Sequence, residues 1–314
     1  MIKAKGLILV EDMNVPEVVL RGTHQRIQKE QEANTAQTKS SVLTLVTNTE
    51  PVAKCDQEMV GIDGLIGKKQ NIVIESYGED GTFRDCITRL AVLLVKEDPL
   101  MKGFIRRLRL HYINKMKPFS FSIAGWNEEE KKKLREIFSE ELCGVVDSID
   151  VESNPDVISG NIVFSPSAQL FITGQYMEIG VYEIVKEVMR EIAAYSKISW
   201  KIYRNVKVQT KNGCTKNEFD IVIECEGMFY VIEVKSGKEF KAWGDLVDTG
   251  KEYEIVPDRL LLVDSWLSDE KAGRIEELCR YYVSNLTNDT LRKKIITMIT
   301  NDLKILEPRC LALY

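Results

Sequence analysis

Among the charged residues of the stretch NEFDIVIECEGMFYVIEVKSG, residues 217–237, two carboxylates and a lysine could act together: Asp220, Glu233 and Lys235. We predict a β-hairpin here, with a two-residue turn at residues 226–227. Counting back along both strands from that turn places Asp220 directly opposite Glu233, with Cβ atoms about 5 Å apart. Lys235 lies on the same face as Glu233, because side chains alternate along a strand. Three ionisable groups are therefore predicted to converge.

Two like charges at this spacing destabilise a solvated sheet by up to about 1 kcal/mol, and by more when they are buried. A divalent cation such as Mg²⁺ or Mn²⁺ would offset the repulsion, because carboxylate, carbonyl and water oxygens are its preferred ligands. Lys235 can neutralise only one of the two acids. The competing interpretation is a solvated sheet edge with a surface ion pair, which is common for an isolated Glu-x-Lys. A predicted apolar opposite face favours the functional interpretation; it comprises Phe219, Ile221, Ile223, Ile232 and Val234.

A fourth candidate lies upstream, in GQYMEIGVYEIVKEVMREIAAYS. Positions 178, 181, 185, 188 and 192 follow one face of a helix, and the last four of them are valine or isoleucine. The first is Glu178, so we expect an acid near the start of the helix, on the stripe that faces the sheet. The alternative is that Glu178 only favours the N-terminal turn through the helix dipole.

Composition excludes several kinds of site. The chain has 314 residues, seven cysteines without a Cys-x-x-Cys pair, and two histidines. A disulfide framework, a zinc cluster and a Ser-His-Asp apparatus are therefore not expected, and any metal would need oxygen ligands. The net charge of −5 means that a nucleic-acid partner would need local basic patches. The sequence has no uncharged apolar run long enough to predict a membrane span. We therefore expect a cytoplasmic protein.

The elements that must position these residues are clearest in the second half. We predict strands at 6–10, 42–46, 71–76 and 119–124, helices at 83–96 and 127–145, then a long helix at 170–195, a strand at 200–209, the hairpin, a strand at 259–264 and helices at 268–284 and 289–303. Thr82 and Asn127 are predicted N-caps. The pattern indicates two domains: a smaller α/β or α+β regulatory or recognition domain at 1–165, and an α/β domain at 166–314.

The helix Glu, the strand Asp and the Glu-x-Lys of the next strand resemble the PD-(D/E)XK nuclease superfamily, through Glu178, Asp220, Glu233 and Lys235. Phe219 stands where the superfamily name has proline. The resemblance implies a restriction-endonuclease-like domain, with a central mixed sheet flanked by helices, and a Mg²⁺- or Mn²⁺-dependent endonuclease. It implies metal ligands at Asp220, Glu233 and the Val234 carbonyl, with Glu178 binding directly or through water, and a Lys235 that positions or helps to deprotonate the attacking water.

A narrower resemblance covers GQYME, NEFD and VIEVKSG, which are similar to the nuclease domain of CRISPR ancillary nucleases that carry a CARF domain. It implies an antiviral defence nuclease, acting on DNA or RNA and activated by a cyclic oligoadenylate bound in the first half. Loops at 47–49 and 76–82 are the candidate effector contacts, and a homodimer is expected. Two alternatives stay open: a constitutive DNA endonuclease of restriction, recombination or mobile-element type, and an inactive nuclease fold kept as a binding module.

A basic cluster in the first half could follow a nucleic-acid backbone, with Phe104 and Tyr112 beside it. It could equally be the solvated side of an amphipathic segment. The cluster comprises Lys102, Arg106, Arg107, Arg109, Lys115 and Lys117.

Overall fold

A computed structural model describes residues 60–67, 69, 71–78, 85–96, 98–139, 144–150, 154–236, 243–285 and 288–305. All of them belong to one compact unit, Cys55–Tyr314. Among these residues, no helix has the length and apolar character needed to cross a membrane. The predicted strands at 6–10 and 42–46, the predicted N-cap Thr82 and most of the candidate effector loops lie outside the described residues.

Strands and helices follow one another along the described chain. The strands are β1 (Ile72–Gly78), β2 (Pro118–Ser122), β3 (Val146–Asp150), β4 (Val157–Ile162), β5 (Trp200–Thr210), β6 (Thr215–Cys225), β7 (Met228–Lys235), β8 (Leu260–Asp264) and β9 (Tyr282–Ser284). The helices are α1 (Asp85–Lys96), α2 (Asp98–Ile113), α3 (Glu128–Ser139), α4 (Pro166–Leu170), α5 (Tyr176–Ser196), α6 (Trp243–Glu252), α7 (Asp269–Cys279) and α8 (Asn288–Leu303). A π-helical turn, Phe171–Gln175, joins α4 to α5.

The larger sheet contains six strands in the order β1-β5-β6-β7-β8-β9. In this sheet, β1, β5 and β6 each pair antiparallel with the next strand in the order, whereas β8 runs parallel to both β7 and β9. The smaller sheet is antiparallel, in the order β2-β4-β3. The described chain is therefore α/β with a mixed sheet flanked by helices, as expected.

Two apolar cores cover the two faces of the larger sheet. On one face, residues such as Ile221 and Ile223 pack with α1, α5, α8 and the smaller sheet. On the other face, Val222 and Val231 pack with α6, α7 and the 3-10 turn Ile62–Ile66. Long helix α5 is central because its valines at 181, 185 and 188 are fully buried, and each contributes about 1.5–3 kcal/mol of hydrophobic stabilisation.

Local signals explain several element boundaries. The Asn127 side chain accepts the Glu130 N–H at 2.9 Å and the Glu130 carboxylate accepts the Asn127 N–H at 2.9 Å, a capping box that confirms the predicted N-cap of α3. The predicted helix at 268–284 begins as expected, with the Ser268 hydroxyl accepting the Lys271 N–H. It is wrong beyond Cys279, because Arg280 adopts φ 62° and ends the helix, and β9 follows.

Residues on both sides of position 165 share one structure. Strand β1 pairs with β5 in the larger sheet, and α1 supplies Leu90 and Leu94 to the core that also contains Val181 and Ile221. Phe119 and Ile158 of the smaller sheet belong to that core as well. The candidate site of the second half is therefore supported by elements from the first.

Candidate functional site

The β6–β7 hairpin has the predicted turn and register. Glu226 and Gly227 adopt φ values of 50° and 72°, which is the two-residue turn that suits the twist of paired strands. The pairing runs from Cys225↔Met228 to Ile221↔Ile232. The ladder ends there, one residue before the predicted couple of Asp220 and Glu233, so that couple stays a prediction.

The two strands separate at that point. Beyond Ile221 and Ile232 the next hydrogen-bonded couple would be Phe219 with Val234, but the Val234 N–H instead donates to Asp220 Oδ2 at 2.7 Å. The N–H and C=O of one residue in an extended strand face the same neighbouring strand, so the Val234 carbonyl faces the side on which Asp220 lies. Lys235 faces the other way, since its carbonyl accepts the Ser265 N–H at 3.4 Å. We call this opening the hairpin fork; it comprises Asp220, Glu233, Val234 and Lys235.

A break in side-chain alternation accompanies the hairpin fork and corrects one expectation. Phe219 was predicted to share a face with Ile221 and Ile223, but it packs with Val222 in the core on the opposite face. At the neighbouring position of β5, Asn205 adopts a φ of 49°. The register is the same on both sides of it, Arg204↔Ile221 and Val206↔Phe219, but Val206 and Phe219 both belong to the core that contains Val222.

Glu178 lies in the first turn of α5 and is half-buried. The valines of the predicted apolar stripe, Val181, Val185 and Val188, are fully buried. Burial raises the pKa of Glu178, and the nearby charges of Glu218 and Glu233 raise it further, while Lys235 and Arg204 oppose the shift. Glu178 therefore interacts electrostatically with Glu233 and Lys235 of the hairpin fork.

The hairpin fork brings several acidic groups close together. Burial raises the pKa of Asp220 to about 8, with a further contribution from Glu233 and Glu178, against the Val234 hydrogen bond and Lys235. Glu233 forms an ion pair with Lys235. Burial by itself lowers the pKa of Lys235, but Glu233, Asp220 and Glu178 outweigh it and the pKa is raised. The structure thus brings Glu178, Asp220, Glu233 and Lys235 together as one electrostatic group.

Two further charged residues near the hairpin fork escaped the sequence analysis. Asp264 ends β8 directly beside Lys235 in the parallel register and is 1% exposed. Its Oδ1 accepts the Trp266 N–H at 2.8 Å, its Oδ2 has no hydrogen-bond partner among the described residues, and burial raises its pKa to about 6. Arg204 of β5 is 9% exposed and its guanidinium lies 5.9 Å from the Tyr182 ring. An acid at the end of the apolar run LLLVD was a usable signal for Asp264, whereas nothing in the local pattern marks Arg204.

The predicted nucleic-acid contacts divide into two groups. Arg106, Arg107 and Lys115 are exposed on or just after α2, as a backbone contact requires. Arg109 points inward: its Nε and Nη2 donate to the carbonyls of Ile172 and Thr173 at 2.7 and 2.8 Å.

The donor set at the hairpin fork suits an oxygen-preferring divalent cation. Asp220, Glu233 and Glu178 supply carboxylates, and the Val234 carbonyl faces Asp220; imidazole and thiolate groups are missing from this set. Across the described part of the chain, no three His, Cys, Asp or Glu side chains already form a group able to hold a metal ion. Glu233 is turned to Lys235 and Asp220 to the Val234 N–H, so cation binding requires these acids to exchange their present partners.

A cavity of about 450 Å³ lies elsewhere, at the turn of the hairpin. Gly227, Met228, Tyr253 and Arg259 contribute to its lining, and none of the four predicted site residues does. The cavity and the charged group therefore occupy opposite ends of β6 and β7.

Known proteins resemble this chain only weakly. No protein-family model and no curated protein matches it. The solved structure of Can2 from Sulfobacillus thermosulfidooxidans, in complex with cyclic tetra-adenylate, is 15% identical with a TM-score of 0.48, over 73% of this chain and 56% of that chain. Protein VC1899 from Vibrio cholerae is 14% identical with a TM-score of 0.43, over 71% of this chain and 58% of that chain. The chain spans less than two thirds of either structure, and a likeness at this level assigns it neither a fold family nor an activity.

Proposed function

We propose that this protein is a divalent-metal-dependent nuclease that hydrolyses phosphodiester bonds in DNA or RNA, with a PD-(D/E)XK site. The observation that carries the proposal is the hairpin fork, where the paired strands separate and a carboxylate takes the place of a ladder carbonyl. Ordinary sheets avoid such a loss of pairing beside buried like charges, because both are destabilising. A site that uses the charges accounts for both features.

The carboxylates are suited to holding a cation. Glu178 and Asp220 both have a raised pKa because burial and neighbouring acids disfavour their charged forms. In the metal-free protein one Asp220 oxygen accepts the Val234 N–H at 2.7 Å, and a bound cation would take the place of that partner. Asp220, Glu233 and the Val234 carbonyl would hold Mg²⁺ or Mn²⁺, with Glu178 ligating directly or through water. The bound cation would supply Lewis-acid stabilisation of the phosphate and a more acidic water.

Lys235 has a different task from the acids. Its raised pKa keeps the ammonium protonated near neutral pH, so it serves as a positive charge rather than as a base. A fixed cation beside the scissile phosphate stabilises the negative charge that develops during hydrolysis.

Activation by a cyclic oligoadenylate, an antiviral role and a homodimer stay predictions from the sequence resemblance. The two competing functions, a constitutive DNA endonuclease and an inactive binding module, predict different outcomes in the same assay. An effector-dependent nuclease cuts only with the cyclic nucleotide, a constitutive enzyme cuts without it, and a binding module retains nucleic acid without cutting.

The decisive experiment incubates the protein with single- and double-stranded DNA and RNA in Mg²⁺ or Mn²⁺, with and without cyclic tetra-adenylate. Asp220→Asn and Glu233→Gln, purified identically, control for contaminating nucleases. Glu277→Gln is the matched neutral control, because Glu277 is an exposed acid on α7. We expect cleavage by the wild type and by Glu277→Gln, and none by the two fork variants or after addition of EDTA.

Two results would overturn the proposal. The first is the absence of cleavage by the wild type under every condition. The second is cleavage that survives in Asp220→Asn at the wild-type rate. Calorimetric titration with Mn²⁺ gives a separate readout: tight binding that is lost in Asp220→Asn supports the ligand assignment even before a substrate is found.

A further inference from the structure

Three hydrogen bonds converge on Ser236, the residue that follows Lys235. Its carbonyl accepts Nη1 of Arg109 at 3.4 Å and Nε1 of Trp266 at 2.8 Å. Its hydroxyl donates to the carbonyl of Thr173 at 2.9 Å. Ser236, directly after the lysine of the candidate site, is thus bonded to three other parts of the chain.

Arg109 connects this strand end to the start of the helix that carries Glu178. Besides Ser236, it donates to the carbonyls of Ile172 and Thr173, at 2.7 and 2.8 Å. Both carbonyls belong to the π-helical turn that leads directly into α5. One guanidinium therefore binds three backbone carbonyls from the two segments that flank Glu178 and Lys235.

The π-helical turn and the strand end approach each other closely. A Cβ atom placed on Gly174 would lie 2.9 Å from Ser236 Oγ, which is shorter than real contacts allow. Glycine at this position thus permits the π-helical turn to lie close to the end of β7, and hydrogen bonds from the Ser236 hydroxyl and the Arg109 guanidinium hold the two together. Asp264 supports the same region, because its carboxylate accepts the Trp266 N–H and so fixes the turn that carries the indole.

We propose that Arg109 is a positioning residue of the candidate site, which sets Glu178 and Lys235 at the separation needed for catalysis by clamping the π-helical turn to the end of β7. The proposal deepens the nuclease function proposed above and rests on it. Only arginine suits this task, since its planar guanidinium offers five N–H donors in a fixed fork, whereas lysine offers one nitrogen at the end of a flexible stem.

The two possible roles of Arg109, a clamp and a nucleic-acid contact, respond differently to substitution by lysine. A phosphate contact depends on charge, so Arg109→Lys would preserve it and keep the salt dependence of binding. A clamp depends on simultaneous bonds to three carbonyls, so Arg109→Lys would lose it. The two roles are therefore separable with one conservative substitution.

The test compares Arg109→Lys with the wild type, with Arg109→Ala and with Arg190→Ala, an exposed arginine of α5 that serves as the control. We expect kcat of Arg109→Lys to fall about 10- to 100-fold, because small misplacements of reacting groups cost rates of this order, while KM and its salt dependence change by less than about 3-fold. Amide hydrogen exchange of residues 171–178 should become at least about 10-fold faster in Arg109→Lys but not in Arg190→Ala.

Trp266→Phe is a milder second variant, because it removes the indole N–H that reaches Ser236 and keeps an aromatic ring at this position. We expect it to lower kcat less than Arg109→Lys does, with a smaller increase in exchange at residues 171–178. Full rescue of kcat by lysine, or unchanged exchange of those residues in Arg109→Lys, would overturn the clamp. If the wild type cuts nothing, the nuclease function fails, and the exchange experiment alone then decides whether Arg109 holds the two segments together.

Discussion

The β6–β7 hairpin contains a fully buried acid near its turn and a half-buried acid at its open end, and the two acids have different surroundings. Near the turn, Glu224 is fully buried; its Oε1 accepts the Gly61 N–H at 2.9 Å and its Oε2 accepts the Tyr203 hydroxyl at 3.0 Å. At the hairpin fork, Asp220 has one hydrogen bond, from Val234, and faces the charges of Glu233 and Glu178.

The difference teaches that burial alone does not identify a functional acid in this molecule. Glu224 has a donor for each oxygen and joins the 3-10 turn Ile62–Ile66 to the sheet, which is a structural task. Asp220 lies among groups that disfavour its charge, so a cation would stabilise it. Glu224 and Asp220 therefore differ in whether neighbouring groups compensate the carboxylate charge, and this difference matters more than how deeply each one is buried.

The largest expected effect tests the fork end. Asp220→Asn should reduce cleavage at least about 10³-fold, because removal of a ligand forfeits several kcal/mol of charge stabilisation in the transition state. Circular dichroism and the melting temperature should confirm that the variant folds. If Asp220→Asn retained more than a tenth of the wild-type rate, Asp220 would have a structural role, as Glu224 has, and not a functional one.

The next effect tests the turn end. Glu224→Ala should lower the free energy of unfolding by about 2–4 kcal/mol, because it leaves the Tyr203 hydroxyl and the Gly61 N–H without their acceptor. The rate of cleavage per folded molecule should stay at the wild-type value. Urea denaturation measures the first quantity, and a cleavage assay normalised to folded protein measures the second. Asp220→Ala should show the reverse pattern, which completes the comparison.

The third effect concerns pH in the metal-free protein. The pKa of Asp220 is raised from 3.8 to about 8 by burial and by the neighbouring acids, so the protonated form is favoured by folding. This contribution to stability is fully present below pH 3.8 and is lost as pH rises through about 8. With EDTA present, the melting temperature of Asp220→Asn should exceed that of the wild type by a few degrees above pH 8, and the difference should vanish near pH 4.

Excess Mn²⁺ should remove that difference by stabilising the wild type at high pH. A wild type that melts at the same temperature as Asp220→Asn throughout this pH range would show that the charge of Asp220 is already compensated, as that of Glu224 is.

The smallest effect concerns exposed cations on either side of the comparison. Arg106→Ala/Arg107→Ala should weaken nucleic-acid binding about 2- to 10-fold at moderate salt and lower the salt slope by one to two. Lys201→Ala is the control from the turn end, because Lys201 is exposed and pairs with Glu224 across the strands. Fluorescence anisotropy measures the binding affinity of each variant. Equal losses of affinity from both variants would contradict a preferred path for the nucleic acid near the hairpin fork.

The hairpin could be predicted because its signals are local. A two-residue turn fixes the register, and valine and isoleucine mark the strand interiors, so the pairing from Cys225↔Met228 to Ile221↔Ile232 followed from counting. The stripe of α5 that starts at Glu178 was predictable for the same reason, since helical periodicity places it without any knowledge of the partner.

The rest depends on contacts between distant segments. The change of face at Phe219 lies beside Asn205 on another strand, and strand β1 finds its partner in β5 more than a hundred residues later. The inward turn of Arg109 could not be separated from a solvated basic face, because its three acceptors are backbone carbonyls and leave no side-chain signature. The restriction-endonuclease-like family stays a prediction.

The π-helical turn at Phe171–Gln175 has a consequence for how the site tolerates insertions and deletions. A π turn contains about one residue more than an α turn of the same span, and each residue of a helix advances the direction of its groups by about 100°. Deleting one residue here would leave α5 seated on the sheet but rotate everything before it, turning the carbonyls of Ile172 and Thr173 away from Arg109. The extra residue sets the rotation between two helical segments, so the number of residues in this turn determines where the carbonyls of Ile172 and Thr173 point.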